Sequence, residues 1–242
     1  MKTPSRKDYL ELYVNDFVIR SFRDIADEDY ISARLNYRYE LNRQALWFAE
    51  QAIEKYLKAI LVFNRVKVKR ISHDLEKALQ KLRSIPDMSF DFPTNVVEFI
   101  EFVSKTANNR YFTRGTSHYG RELLFLDLTV WHIRRYCKFM RQAELLSYVD
   151  DANSLSDQLD EIHAQSVKLP AEALIHGGLL EKHLTDKSSK CRQHLIWKNL
   201  YFWSRPRRTI KNFKVRPRWE FPTQEVFGGS DLKHELEKYI DF

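Results

Sequence analysis

The chain has 242 residues, of which 43% are apolar and 14% aromatic. A chain of this size and apolar content can bury a sizeable core, which excludes a disordered protein. The 6 glycines and 7 prolines are too few for a collagen-like or linker-rich sequence, and the abundant leucine, glutamate, lysine and arginine favour an all-α fold.

The net charge of +7 is concentrated in one segment of the chain. Residues 187–219 contain 11 lysines and arginines and no aspartate or glutamate. The rest of the chain has 29 basic and 33 acidic residues, and therefore a net charge of −4. A local concentration of positive charge of this kind attracts polyanions.

The sequence contains no pattern typical of secreted or membrane proteins. The two cysteines, Cys137 and Cys191, are too few and too far apart to indicate a disulfide scaffold. The first residues lack the apolar core of a signal peptide, and no apolar run approaches the roughly 18 residues that a membrane span requires. We therefore expect a cytoplasmic protein that does not enter a membrane.

Apolar periodicity predicts about five helices within residues 1–149, arranged as an up-and-down bundle. The first lies near residues 8–22, and the clearest covers residues 27–63, where apolar residues from Ala45 to Ile60 recur three and four positions apart. A shorter helix begins at about Ser72, a fourth follows Pro93, and a fifth of about 29 residues follows Gly120.

A polar stretch, "DDANSLSD" at residues 150–157, indicates a boundary. We therefore divide the chain into a helical bundle, residues 1–149, and a basic C-terminal extension, residues 150–242. The sequences "SDQLDEIHAQ", "PAEALIHGGLLEKHL" and "SDLKHELEKYI" predict three short helices, so the extension is expected to be partly helical.

Residues 108–120, "NNRYFTRGTSHYG", place two arginines and a histidine between two predicted helices. Arg110 and Arg114 carry guanidinium groups that can hold phosphoryl oxygens, and His118 can transfer a proton at neutral pH. These three are the candidate catalytic residues, with Tyr111 as a candidate nucleotide contact. In the alternative, the arginines bond to carbonyls at a helix C-terminus and His118 lines a polar loop.

Three further residues are candidate nucleotide contacts. Lys55 and Lys58 lie on the polar side of the clearest predicted helix, and His73 lies at the start of the next one. The alternative is an ordinary solvated surface, because charges on the polar face of an amphipathic helix need no further cause.

His183, Cys191 and His194 are residue types that bind zinc, but a fourth donor and a regular spacing are missing. The sequence also has no glycine-rich phosphate loop and no nucleophile elbow. We expect neither a metal nor a cofactor.

Within residues 187–219, basic residues alternate with six aromatic residues: Trp197, Tyr201, Phe202, Trp203, Phe213 and Trp219. Lysine and arginine neutralise phosphates while aromatic rings stack on bases, a combination suited to single-stranded RNA or DNA. Arg205, Arg207 and Arg208 are the best candidate contacts, because Pro206 keeps the local backbone extended. The alternative is that the aromatic residues belong to a packed core.

The order and spacing of "AEQAIEKYLKAIL" (49–61), "ISHDLEKAL" (71–79), "NNRYFTRG" and "ELLFLDLTVWHIRRY" resemble the HEPN domain family over roughly residues 8–145. The resemblance implies a helical bundle, commonly a homodimer, that binds nucleotides or RNA in a cleft between protomers. Catalytic members of the family are metal-independent endoribonucleases with an arginine and a histidine four to six residues apart. Here seven residues separate Arg110 from His118 and three separate Arg114 from His118.

Three hypotheses follow from these patterns. In the first, the protein binds nucleotide or single-stranded RNA phosphate groups as a homodimer. In the second, it is a metal-independent endoribonuclease of the toxin or defence type. In the third, it is a non-catalytic scaffold whose bundle dimerises and binds another protein.

Overall fold

A computed structural model describes residues 3–69, 71, 73–107, 116–149, 153–165, 174–202 and 218–220, together with the single residues 234 and 238. The elements in chain order are α1 (Arg6–Val18), a π-helical turn (Ile19–Arg23), α2 (Asp24–Arg38), α3 (Asn42–Phe63), α4 (Leu75–Arg83), α5 (Thr94–Ala107), β1 (Thr116–His118), α6 (Glu122–Arg134), α7 (Gln142–Leu145), α8 (Leu155–Ala164), α9 (Leu179–Thr185), α10 (Arg192–Ile196) and β2 (Arg218–Glu220). The protein is an all-α helical bundle, as the sequence predicted, with one short antiparallel ribbon.

Helix α3 lies at the centre of the bundle. Its apolar stripe, which includes Ala45, Ala49, Ile53 and Ile60, is fully buried, and α1, α2, α4, α5 and α6 all pack against it. A 22-residue helix can contact so many neighbours because its buried side extends over more than half of its circumference.

The helix predicted over residues 27–63 is in fact two helices. Helix α2 ends in a Schellman motif: the Leu41 N–H donates to the Asn36 carbonyl at 2.9 Å, and the Glu40 N–H donates to the Tyr37 carbonyl at 3.2 Å. Glu40 takes the left-handed conformation, with a φ of 60°. Glycine usually occupies this position, so a glutamate here did not indicate the break.

The long helix predicted after Gly120 is also shorter than expected. Helix α6 ends at Arg134, and two tight turns follow, in which Tyr136 and Cys137 donate to the carbonyls three residues earlier. Arg134, Arg135, Tyr136 and Cys137 are all buried. Residues 126–134 of α6 are buried as well, so no change in the apolar pattern marks the end of this helix.

Part of the predicted extension packs on the bundle. Leu180, Leu195, Tyr201 and Phe202 belong to the same hydrophobic cluster as the apolar residues of α2 and α3. Asn199 fixes the backbone of the last described residues of this region. Its side-chain oxygen accepts hydrogen bonds from the backbone N–H groups of Tyr201 and Phe202 at 2.8 and 3.0 Å. The division at residue 149 remains a prediction, although the described residues share one core.

None of the helices in the described ranges combines the length and apolar character that a membrane crossing requires.

Candidate nucleic-acid interface

The ribbon of β1 and β2 joins two parts of the chain that are about 100 residues apart in the sequence. β1 lies near the end of the polar stretch 108–120, and β2 contains the last two residues of the basic segment 187–219. In the antiparallel register His118 pairs with Arg218, and Ser117 pairs with Trp219. Backbone pairing therefore brings the two candidate nucleic-acid segments together.

Six of the predicted site residues lie outside the described residues: Arg110, Tyr111, Arg114, Arg205, Arg207 and Arg208. Trp203 and Phe213 lie outside them as well. Their roles remain predictions from the sequence.

His118 lies in β1, and only 3% of its side chain is exposed. Its Nδ1 atom is 4.0 Å from Oε1 of Glu122, a buried residue in the first turn of α6. The same Glu122 oxygen accepts a hydrogen bond from the backbone N–H of Tyr119. Glu122 thus holds the turn between β1 and α6 and provides a negative group beside the imidazole.

The turn after His118 exposes two side chains that suit nucleic-acid binding. The backbone reverses at Gly120, whose φ of 75° is a left-handed conformation that glycine adopts without strain. Tyr119, on one side of this glycine, is 65% exposed, and Arg121, on the other side, is also exposed. Tyr119 and Arg121 were not among the residues predicted from the sequence, because their exposure depends on the conformation of this turn.

Lys58 of α3 and His73 both contact one buried carboxylate. Glu54, which is 5% exposed, accepts a hydrogen bond from Lys58 Nζ through Oε1. Its Oε2 atom is 2.7 Å from Nδ1 of His73. Because a carboxylate only accepts, Nδ1 carries the proton in this contact and Nε2 is left for another partner.

Lys55 directly follows Glu54 in α3 but has partners of its own. Its Nζ atom donates to Asp29 Oδ2 at 2.5 Å and to Gln51 Oε1 at 3.2 Å. Lys55 and Lys58 are therefore both neutralised by carboxylates. His73, with 48% of its side chain exposed, is the most accessible of the three candidates.

The described part of the basic segment is partly core and partly surface. Tyr201 and Phe202 are buried, which agrees with the alternative that the aromatic residues pack inside. Trp197 is only half-buried, with the Arg38 guanidinium carbon 5.9 Å and the Lys198 Nζ atom 5.2 Å from its ring centroid. Cations against an aromatic ring are a favourable arrangement that also occurs on nucleic-acid-binding surfaces.

The two histidines among the candidate zinc ligands, His183 and His194, are hydrogen-bonded to other groups. His183 Nδ1 is 2.8 Å from Ser189 Oγ, and His194 Nδ1 is 3.4 Å from the Arg38 guanidinium. Burial, followed by the positive charges of Arg38 and Arg34, lowers the pKa of His194. Within the described residues, no group of three or more histidine, cysteine, aspartate or glutamate side chains is arranged to hold a metal.

Two buried ionic networks fix the C-terminal region to the bundle, and the sequence patterns did not predict them. Arg34 pairs with Asp127 and donates to the carbonyls of His194 and Trp197. Arg134 pairs with both Asp27 and Glu181.

The geometry defines an all-α bundle with a polar turn and a buried histidine at the start of its last long helix. Residues 19–120 match the family model of the HEPN domain. The matched part of the chain includes α2 to α5 and β1, and the match confirms the resemblance drawn from the sequence. Comparison with the curated proteins and with the solved structures found no significant match.

Proposed function

We propose that this HEPN-domain protein binds single-stranded RNA through its phosphate groups, at the ribbon formed by β1 and β2. The pairing of His118 with Arg218 carries the proposal, because it joins the polar stretch of the domain to the basic segment. Arginines neutralise phosphates, and this segment has 11 basic residues and no acidic ones.

The turn after β1 adds the second component that single-strand binding requires. The exposed Tyr119 ring offers a face on which a base stacks, and the exposed Arg121 provides a cation two residues away. Stacking of this kind tolerates any base, so we expect weak sequence preference and strong salt dependence.

His73 is a further candidate for a phosphate or nucleotide contact. Its exposed ring is held by the buried Glu54 carboxylate at 2.7 Å, which presents Nε2 as a hydrogen-bonding group. Lys55 and Lys58 contribute less in this proposal, since each already has a carboxylate partner.

The burial of His118 favours binding over cleavage. A general acid or base must reach within about 3 Å of the reacting group, and this imidazole has only 3% of its surface exposed. In the binding proposal, His118 and Glu122 support the turn that presents Tyr119 and Arg121. The endoribonuclease hypothesis instead requires His118 and Arg110 or Arg114 at a phosphate.

Fluorescence anisotropy with a labelled single-stranded RNA at four salt concentrations tests the proposal. Replacement of Arg121 and Arg218 by alanine is expected to weaken binding and to reduce the slope of log K against log salt by about 1.4, since each lost phosphate contact contributes about 0.7. The Tyr119→Ala variant is expected to lose roughly tenfold in affinity with an unchanged slope. The matched control replaces two exposed cations elsewhere, Lys7 and Arg83, and should bind as the wild type does.

The same labelled RNA, incubated in EDTA, separates the three hypotheses. Binding without cleavage supports the proposal. Cleavage by the wild type that is lost in His118→Ala supports the metal-independent endoribonuclease. Neither binding nor cleavage supports the scaffold.

A further inference from the structure

The corner between α2 and α3 exposes three large apolar side chains. Tyr39, Leu41 and Leu35 are 63%, 54% and 37% exposed. Leu35 lies one turn before Tyr39, on the same side of α2. The Schellman motif then reverses the chain and leaves Leu41 at the start of α3. We call these three residues the corner patch.

Helix α10 packs against α2 and brings cations to the edge of the corner patch. The Tyr39 ring centroid lies 6.3 Å from that of His194, and Nδ1 of His194 is 3.4 Å from Nη1 of Arg38. The Arg38 guanidinium carbon and Lys198 Nζ are 5.9 and 5.2 Å from the ring centroid of Trp197. Rings and cations thus form a continuous row from Tyr39 to Lys198.

The segments that form this surface are strongly basic. Residues 35–43 and 187–198 contain six basic residues and one acidic residue, Glu40, which gives them a net charge of +5. Glu40, Arg43 and Lys190 are all exposed, so the acidic side chain is outnumbered on the surface as well. An apolar patch with a cationic edge is complementary to a ligand that combines large apolar groups with negative charge.

The chemistry of the surface favours a peptide over an RNA strand. Bases bind by stacking on aromatic faces, and the exposed aliphatic groups of Leu35 and Leu41 offer no such face. The Trp197 ring already contacts two cations within the roughly 6 Å range of a cation–π interaction. Apolar side chains of a peptide, in contrast, pack against leucine and tyrosine while its carboxylates pair with cations at the rim.

We propose that the corner patch, with Arg38 and Lys198 at its edge, binds an acidic segment of another protein through one or two large apolar side chains. Tyr39 alone exposes roughly 100–150 Å², since a fully exposed aromatic side chain offers about 150–250 Å². A patch of this size fits a short segment, and the expected affinity is micromolar. None of its residues belongs to β1, β2 or the turn after β1, so the proposal does not depend on RNA binding at the ribbon.

Fluorescence anisotropy with a labelled acidic peptide tests the proposal. In this probe, leucine and phenylalanine recur at helical spacing and every other position is glutamate. The full-length wild type is expected to bind it with a dissociation constant of roughly 10–100 µM, and more weakly as salt is added. Two matched peptides, one with glutamine for glutamate and one with serine for leucine and phenylalanine, should each bind about tenfold more weakly, since each lacks one component.

The double variant Tyr39→Ser with Leu41→Ser tests the apolar part of the surface. It should lose roughly tenfold in affinity for the acidic peptide, because both contacts for large apolar side chains are removed. Circular dichroism verifies that the variant is folded.

The double variant Arg38→Gln with Lys198→Gln tests the charged edge without altering the apolar side chains at the helix end. It should lose roughly fivefold in affinity and show a weaker salt dependence, because two charges at the rim are removed. The matched control, Lys7→Gln with Arg83→Gln, removes two exposed cations elsewhere and should bind the peptide as the wild type does.

A wild type that does not bind the acidic peptide, or surface variants that bind it as tightly as the wild type, overturns the proposal. The labelled single-stranded RNA provides a second readout. The serine variant should bind this RNA with unchanged affinity, and a loss would assign the surface to RNA and overturn the proposal. Failure of the wild type to bind RNA leaves the peptide result unaffected, so the two proposals fail separately.

Discussion

Arg34 and Asp127 form an ion pair in which neither side chain is exposed to solvent. The hydroxyl of Tyr30 donates to the same Asp127 oxygen at 2.7 Å, and Arg34 Nε donates to the His194 carbonyl at 2.9 Å. A buried ion pair adds little net stability by itself, but the loss of one partner leaves a charge without compensation. The pair therefore makes the position of residues 194–197 dependent on α2 and α6.

Replacement of Asp127 by asparagine should lower the free energy of unfolding by about 3 kcal/mol, because the Arg34 charge stays buried without its counter-charge. Urea unfolding monitored by circular dichroism measures the change. The control is Asp16→Asn, which removes the exposed ion pair with Arg20 and should change stability by less than about 0.5 kcal/mol. If both substitutions lowered the free energy of unfolding equally, burial of the Arg34–Asp127 pair could not be the cause of the loss.

His132 provides a pH-dependent contribution to stability. Burial, followed by the positive charge of Arg135 with Nη2 at 2.8 Å from the ring, lowers the pKa of His132 to about 4. The unfolded chain binds a proton below about pH 6.5 that the folded chain excludes. Stability is therefore fully present above pH 6.5 and is lost as the pH falls toward 4.

Between pH 8 and pH 5 this histidine should account for a loss of about 2 kcal/mol in the free energy of unfolding. Urea titrations at several pH values measure it as the difference between the wild type and His132→Gln. The variant should show a flatter pH dependence than the wild type. Parallel pH-dependence curves for the wild type and the variant would mean that the pKa of His132 is the same in the folded and unfolded chains.

Among the elements, those with a single apolar stripe were predictable from the sequence. Helix α5 follows Pro93 as expected and begins at Thr94, and the stripe of α3 is buried as expected. The break between α2 and α3 was not predictable, because a glutamate takes the left-handed position. The end of α6 was not predictable either, since it depends on contacts made from several directions at once.

In the candidate site, too, residue types were predictable from the sequence, whereas contacts between distant residues were not. Residue chemistry selected His73 and His118, but only the fold places His73 beside Glu54. Pairing of β1 with β2 joins residues separated by about 100 positions, and no periodic pattern within either strand encodes it. The exposure of Tyr119 likewise follows from the turn at Gly120.

Helices α9 and α10 belong to the predicted extension, but they also pack against the bundle. A chain truncated after residue 149 loses Glu181 as the partner of Arg134 and exposes apolar residues that Leu180 and Leu195 cover. It should unfold at a clearly lower temperature than the full chain and bind a hydrophobic dye. A chain truncated after residue 202 keeps these contacts and should retain most of its stability. Equal melting temperatures for the two truncated chains would support an independent bundle of residues 1–149.

At the scale of the whole molecule, charge is separated along the chain. Residues 187–219 carry the positive excess, and the remainder is slightly acidic. The structure attaches this segment to the bundle at two places, through the Arg34 contacts near residue 197 and through β2. Arg205, Arg207 and Arg208 fall between these two places in the sequence and lie outside the described residues.

The salt dependence of RNA binding tests the central claim most directly. Anisotropy titrations of a labelled single-stranded RNA compare the wild type with a variant in which Arg205, Arg207 and Arg208 are alanine. The loss of three phosphate contacts should weaken binding and reduce the slope of log K against log salt by about 2. A folded variant with the affinity and slope of the wild type would contradict the claim that the basic segment binds RNA phosphate groups.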